Sequence, residues 1–532
     1  MARSPSAVSC DRRAPRNGSR AARYTGLAGC AAWALPLLLY GSTVAPTIYG
    51  VDSADLTTAA YLLGIAHPPG SPTYLLIAHA FTWLPLGDVG YRVNLFSALS
   101  GALASFFLYR IAWRLSGEPW LGVATAWLVS TTYYVWTAAV AAELYAPQGC
   151  VLAGLIALAL RWRETPRPLL FCLLCLFAGL GLGVHLSLVL MLPGLAVIAL
   201  APPLDVARSP GLLAAGTVCG VLGAAVYAYL PLRFLADLPL NPARDYWHID
   251  LASWSGWWWM VSGAGFKGRL VSGAGNPLLA ELATFAYRLW SNFLGLPALL
   301  GLLGLAVEWP RRPWVHFGLL LMLIGHVTFY VSYQALDKET MFLPAYLLWG
   351  VWIGLGARVA ARWIARAIFG VPEIPFLAPA ALGCVVALLV LVNYRYVDAS
   401  ADRSARTRGE TILSALEPNA VFVGAWADLR LVEYLQQVEG QRRDIEPVDA
   451  FFSTTDERSR RIAVALQSGR PVYVTACRDL IDLAVTCEYE QTCGCYRLQR
   501  SSVAAVRSGS ARRSVAQRAG ARELAAFGTT GI

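Results

Sequence analysis

Two aspartates three residues apart, Asp52 and Asp55, are followed twelve residues later by His67, which opens the run His67-Pro68-Pro69-Gly70-Ser71-Pro72. Residues three apart share a face if the segment is helical. Three prolines within five residues make a stiff, non-helical turn, because each fixes its own φ and pushes the preceding residue out of the helical region. A second helix can then form over residues 73–84. Helix, rigid turn and helix would hold two acids and a histidine close together. One carboxylate in such a place can take the proton of an attacking hydroxyl. An ordinary external loop with solvated acids is the plainer alternative.

The elements that position this loop are apolar. The 532-residue chain is 57% hydrophobic and 14% charged, against about 25% charged residues in a soluble domain. Apolar runs near the length needed to cross a bilayer occur at 27–46, 98–113, 211–230, 316–332 and 378–392. The pattern predicts a polytopic α-helical membrane protein of about eleven spans, with 168–201 read as two spans hinged near His185. The first 25 residues carry six arginines and one acid, Asp11. The apolar run after them is too long for a signal-peptide core and lacks a small-x-small site, which favours an uncleaved first helix.

Charge placement predicts orientation. With a cytoplasmic N-terminus and eleven spans, the inner segments carry Arg110, Arg114, Arg161, Arg163, Arg167, Arg208, Arg311, Arg312, Arg358, Arg362 and Arg366, whereas 47–91 has no Lys or Arg. That asymmetry places 47–91 outside. The net charge of +10 is then topological, and no nucleic-acid partner is expected.

The expected organisation is a basic cytoplasmic N-terminus (1–25), a membrane domain (26–393) with external loops at 47–91 and 233–281, a small external α/β domain (398–500) and a disordered tail (501–532). Trp247, Trp254, Trp257, Trp258 and Trp259 in the second loop suit an interfacial belt. In the α/β part, 420–426 and 471–476 read as strands. Leu431, Leu435 and Val438 recur at helical spacing before Gly440, and 456–467 reads as a second helix. Of eleven cysteines, four (Cys477, Cys487, Cys493 and Cys495) lie in this part. Outside the cell they could pair in three ways, Cys493 with Cys495 being the least comfortable. Their spacing matches no common zinc pattern.

Further polar residues fall at the external ends of the spans: Arg92, Asn94, Glu143, Tyr145, His185, Arg233, Asp337, Lys338 and Glu339. A polar group near a span is costly unless it faces a cavity or a partner, which makes each a functional candidate. Each also has a bland reading: loop solvation for Asp337 and Lys338, a helix cap for His185, snorkelling for Arg233. A transporter would more often place such groups at the bilayer midplane. External groups over apolar spans suit a substrate carried on a lipid. If that lipid bears a phosphate, Arg92, Arg233, His67 and Lys338 are the available cations. A phosphate leaves without help from an acid, so one carboxylate base, Asp52 or Asp55, suffices.

These residues also carry a family likeness. The run Asp52-Ser53-Ala54-Asp55-Leu56, then Leu63-Gly64-Ile65-Ala66-His67-Pro68-Pro69-Gly70, resembles the opening signature of the domain-of-unknown-function 2723 membrane proteins. That family includes the transmembrane-protein-260-type protein O-mannosyltransferases of the GT-C glycosyltransferase superfamily. The likeness continues through Arg92-Val93-Asn94-Leu95-Phe96-Ser97, Ala142-Glu143-Leu144-Tyr145, Gly183-Val184-His185, Tyr229-Leu230-Pro231-Leu232-Arg233, Asp337-Lys338 and Tyr434-Leu435-Gln436-Gln437-Val438-Glu439-Gly440. Asp55 stands where the usual Asp-Ser-Gly-Glu pattern has glutamate, and Ala54 where it has glycine.

The resemblance implies a GT-C fold, a catalytic acid in the first external loop and a polyprenyl-phosphate sugar as co-substrate. Asp52 would be the base or the residue that orients the acceptor, and Asp55 its neighbour in the catalytic pair. His67, Arg92, Arg233 and Lys338 would hold phosphate, while Asn94, Glu143, Tyr145, His185 and Asp337 would line the substrate pocket. The acceptor would be a protein Ser/Thr or glycan hydroxyl and the sugar mannose, on the external face of a bacterial inner membrane. The C-terminal domain would recognise the acceptor or cover the site. No metal ligands are assigned, and a divalent metal stays open. A flippase for a lipid-linked substrate and an inactive structural homologue are the alternatives.

Overall fold

The computed structural model of the chain describes residues 17–50, 52–202, 209–270, 278–335, 338–477 and 485–500. The expectations for Arg208, Asp337 and the 501–532 tail lie outside these residues. The chain divides into two compact units.

The first unit comprises Met1–Pro46, Pro68–Tyr229 and Val261–Ala401. Among the described residues of the whole chain, six helices are long and apolar enough to cross a membrane: Thr25–Thr43, Val89–Ser116, Pro210–Leu235, Pro313–Val331, Leu343–Phe369 and Leu377–Val397. The pair Leu278–Asn292 and Leu296–Arg311, bent by 112°, makes a seventh if counted as one broken span. The stretch read as two spans hinged near His185 consists of two shorter apolar helices, Pro168–Leu182 and Leu186–Leu200. Its break has a physical cause. The Gly183 carbonyl accepts the Thr73 N–H at 2.9 Å, and a Cβ at Gly183 would lie 2.4 Å from Thr73 Oγ1. Only glycine allows this approach of the Pro72–Thr82 helix to the hinge.

Buried polar groups in this unit are tied to the backbone, as low-dielectric surroundings demand. Asn94 donates to the Ala45 carbonyl at 2.8 Å and accepts from the Ala142 N–H at 2.7 Å. It thereby joins three segments that are far apart in sequence.

The second unit comprises Thr47–His67, Leu230–Met260 and Asp402–Ile532. Its sheet has the order β2-β1-β3-β5-β4: β1 Val421–Gly424, β2 Glu446–Asp449, β3 Val472–Val474, β4 Val485–Glu490 and β5 Cys495–Arg500. β1 runs parallel to β2 and β3, while β5 is antiparallel to β3 and β4. All four β1 residues are buried, as suits a strand inside a parallel sheet whose faces are covered. Val421, Val423, Val448, Ile462, Val472 and Leu498 form the core.

The helices Trp426–Gln437 and Thr455–Gln467 stand where the sequence pattern places them. Thr454 caps the second by accepting the Glu457 N–H, with Glu457 at the position of a capping box. Gly440, at φ 75°, ends the first. Its N–H returns to Gln436 and that of Gln441 to Leu435, as in a Schellman stop. The strands β2, β4 and β5 go beyond the two anticipated. The cysteines pair as Cys477–Cys487 and Cys493–Cys495, so the bond judged least comfortable from spacing is present.

In the 230–260 segment, Trp254 stacks on Trp257 and Trp258 with ring centroids 5.1 and 6.3 Å apart. Trp254 and Trp258 are exposed, whereas Trp247 is buried against Phe452.

Candidate active site

The acid loop forms the helix Ser53–Leu62, with Asp52 at its N-cap position. An aspartate there ordinarily accepts a backbone N–H of the first turn. Asp52 makes no such bond, and its carboxylate is directed elsewhere in the same unit. Asp55, one turn in, sits in a helix whose first eight residues are all buried. The helix stops at Leu63, which adopts a left-handed conformation with φ 48°. Arg233 Nε and Nη2 donate to the Leu63 and Leu62 carbonyls, a cation on the orphan acceptors at the negative end of the helix.

Beyond Leu63 the chain returns His67 to Asp55. The Asp55 carboxylate accepts the His67 backbone N–H at 3.1 Å and ring Nδ1–H at 2.8 Å. The opposite ring nitrogen, Nε2, lies 3.6 Å from Asp52 Oδ2. The imidazole therefore sits between two carboxylates of unequal exposure: the Asp52 side chain is 25% exposed and that of Asp55 5%. Burial alone would lower the His67 pKa, but the Asp52 charge and the Asp55 hydrogen bond and charge overcome it and push the ring up to about 9. His67 is thus an imidazolium at neutral pH. Burial would raise the Asp55 carboxyl, but the His67 hydrogen bond and charge, with Arg430, bring it below its ordinary value.

The same unit adds residues that sequence reasoning did not single out. Trp426 Nε1 donates to Asp52 Oδ1 at 2.8 Å. Arg430, one helical turn on and fully buried, pairs with Glu433 at 2.6 Å and with Asp449, and lies 3.7 Å from Asp55. Its guanidinium packs 4.3 Å over the Trp426 ring and 5.7 Å from that of Tyr246. The three acids raise the Arg430 pKa against the effect of burial. Burial pushes the Glu433 carboxyl up to about 7 despite the Arg430 charge. Trp426, Arg430 and Glu433 fall at helical spacing on one face, a signal available in the sequence. Their distance along the chain from the acid loop hid the connection. Among the described residues no three His, Cys, Asp or Glu side chains converge as metal ligands would; the acids here close on His67 and Arg430.

The remaining candidates lie in the first unit. Arg92 donates to the carbonyls of Thr82, Leu86 and Gly87 at 2.8, 2.9 and 3.0 Å, so its guanidinium clamps its own loop. Lys338 is buried, bonded to Glu281 Oε2 at 2.7 Å and to the Val331 carbonyl. His185 Nδ1 accepts the Ser187 N–H at 3.2 Å, a helix cap, and its ring lies 5.8 Å from that of Tyr145. Tyr145 opens the helix Tyr145–Glu164. The Glu143 N–H donates to Ser97 Oγ at 3.3 Å. The structure thus gathers Asp52, Asp55 and His67, with Arg233 at the end of their helix, and separately pairs Tyr145 with His185. It gives Arg92, Asn94 and Lys338 backbone or ion-pair partners of their own.

Residues 52–204 match the family described as the Protein O-mannosyl-transferase TMEM260 N-terminal domain. Over 123 residues, 23% of this chain and 18% of the relative, the chain is 39% identical to Protein O-mannosyl-transferase TMEM260 of Mus musculus. Over 124 residues it is 24% identical to Protein O-mannosyl-transferase tmem260 of Dictyostelium discoideum, of which 15% is covered. The aligned segments thus span less than a fifth of either relative. In fold the chain is similar to ArnT from Cupriavidus metallidurans, solved bound to undecaprenyl phosphate, with a TM-score of 0.50 and 12% identity over 87% of this chain and 96% of that one. The apo form matches with the same TM-score and 13% identity, over 91% and 98%. The chain is a multi-pass membrane protein with the fold of ArnT.

Proposed function

We propose that this chain is a membrane glycosyltransferase that moves a sugar from a polyprenyl-phosphate donor to a hydroxyl acceptor on the external face of the membrane. The observation that carries the reading is the unequal acid pair about His67: Asp52 is the accessible carboxylate, and Asp55 is enclosed and committed to the ring. The relatives named O-mannosyltransferases favour mannose as the sugar and a protein hydroxyl as the acceptor. The ArnT structure bound to undecaprenyl phosphate favours a lipid phosphate on the donor.

In this reaction the acceptor oxygen attacks the anomeric carbon from the face opposite the phosphate. Its proton passes to Asp52 as the new C–O bond forms. The bond from that carbon to the phosphate oxygen breaks, and the polyprenyl phosphate leaves with its electron pair and needs no proton. The configuration inverts. The His67 imidazolium supplies positive charge beside the reacting groups, and Asp55 holds the ring in place. The positively charged segments favour the cytoplasm for the basic N-terminus and the outside for the acid loop. A count of eleven spans and an external C-terminal domain belong to the same reading.

The test is radiolabel transfer from a panel of polyprenyl-phosphate sugars to membrane-extract acceptors, with wild type and Asp52→Asn side by side. Label should reach an acceptor from one donor with wild type only. Equal incorporation by the two proteins would overturn the assignment, and substrate movement across liposomes without acceptor labelling would favour a flippase.

A further inference from the structure

We propose that Trp426 is a positioning residue for Asp52, so that the C-terminal α/β fold supplies part of the acid site; this rests on the transferase reading above. The contact joins an indole N–H to one oxygen of the accessible carboxylate at 2.8 Å across 374 residues of sequence. A buried or half-buried indole generally finds an acceptor for its N–H, and here the acceptor is the acid that gives up its own helix cap. With Oδ1 held by the indole and Oδ2 facing His67, rotation of the carboxylate about its bond to the side chain is blocked. Oδ2 is the oxygen left to accept a proton.

Trp426 is itself held on several sides. The Arg430 guanidinium covers its face at 4.3 Å, the His67 ring meets it edge-on at 5.6 Å, and Phe452 packs at 5.5 Å. Arg430 is in turn fixed by Glu433 and Asp449. A donor locked in this way adds little motion of its own to the acid it holds, which is what orientation of a reacting group requires.

Trp426→Phe removes the N–H and keeps the ring. In the full-length protein, kcat for transfer from a polyprenyl-phosphate mannose should fall about 10- to 100-fold while KM for that donor stays within twofold, as misorientation without lost binding demands. A thermal-unfolding cycle of Asp52→Ala, Trp426→Phe and the double variant reads the contact without any turnover, because touching residues give non-additive shifts. Coupled melting shifts with a selective loss of kcat support the proposal. Additive shifts, or an unchanged kcat beside an Asp52→Asn variant that is dead, overturn it and leave the transferase reading standing. A wild type that transfers nothing, and behaves as Asp52→Asn does, overturns the transferase reading and this role with it, whatever the melting cycle reports of the contact.

Discussion

Asp55 takes two hydrogen bonds from a single partner, His67, one from its backbone N–H and one from its ring. Nothing comparable engages Asp52, whose nearer bond comes from a tryptophan. The two acids that look equivalent in sequence therefore differ in kind. Asp55 holds the imidazolium, and Asp52 is the more exposed of the two.

That difference predicts separable variants. Asp52→Asn should abolish transfer and leave the melting temperature close to wild type. Asp55→Asn should lower stability by about 1–3 kcal/mol, the cost of an ill-matched buried polar group, as read by thermal unfolding in detergent. An Asp55→Asn protein that melts like wild type but is inactive would reverse the two roles.

The imidazolium predicts a pH dependence whose sign follows from its raised pKa of about 9 against an ordinary 6.5. Below pH 6.5 the ring is protonated in folded and unfolded chains alike, and its stabilisation is fully present. Between 6.5 and 9 only the folded chain keeps the proton, so the contribution declines, and above 9 it is gone. Melting temperature should fall across that window and transfer should drop near its upper end. In His67→Gln the decline should be absent; a wild-type slope in that variant would show that another group titrates.

The buried cluster predicts an asymmetry between its members. Arg430→Met leaves Asp55, Glu433 and Asp449 without their shared cation and should cost about 3–5 kcal/mol. Glu433 has a carboxyl pushed up to about 7, so folding favours its neutral form and stability is lost as pH rises from 4.5 through 7. Glu433→Gln should remove that slope and cost less than about 1.5 kcal/mol. Chemical denaturation at pH 5.5 and pH 8 distinguishes the two. Equal losses would show that Arg430 is not the centre of the cluster.

Arg92 and Asn94 should behave as structural residues. Arg92→Lys loses a three-carbonyl fork that one ammonium cannot reproduce, and Asn94→Ala strands two backbone groups at about 1–3 kcal/mol each. Both variants should melt earlier with little change in KM for a polyprenyl-phosphate donor. A raised KM at an unchanged melting temperature would place Arg92 on the phosphate instead.

The acid loop was legible because its logic is local: close acids, a stiff proline turn and a histidine brought back within a dozen residues. The Trp426–Gln437 and Thr455–Gln467 helices and the strands β1 and β3 were legible for the same reason, each carrying its own periodicity or apolar run. Strand β2 was hidden by Pro447 and two acids, and the β4–β5 hairpin by its polar, cysteine-bearing composition. The roles of Arg92, Asn94 and Lys338 turn on which carbonyl or acid each side chain meets across the fold. Residue type at a helix end cannot distinguish a cation on phosphate from one on a backbone. Arg430 was missed because two of its partners, Asp449 and Asp55, come from other segments of the chain, and nothing in the neighbourhood of position 430 announces a counterion for Asp55.

The bond from Trp426 to Asp52 has a consequence for biosynthesis. A ribosome completes the acid loop long before it reaches the codon for the indole that steadies it. A nascent chain halted anywhere in between carries both aspartates and the histidine yet lacks the donor and the guanidinium behind it. On the transferase reading, catalytic competence then waits until translation has passed Trp426 and Arg430.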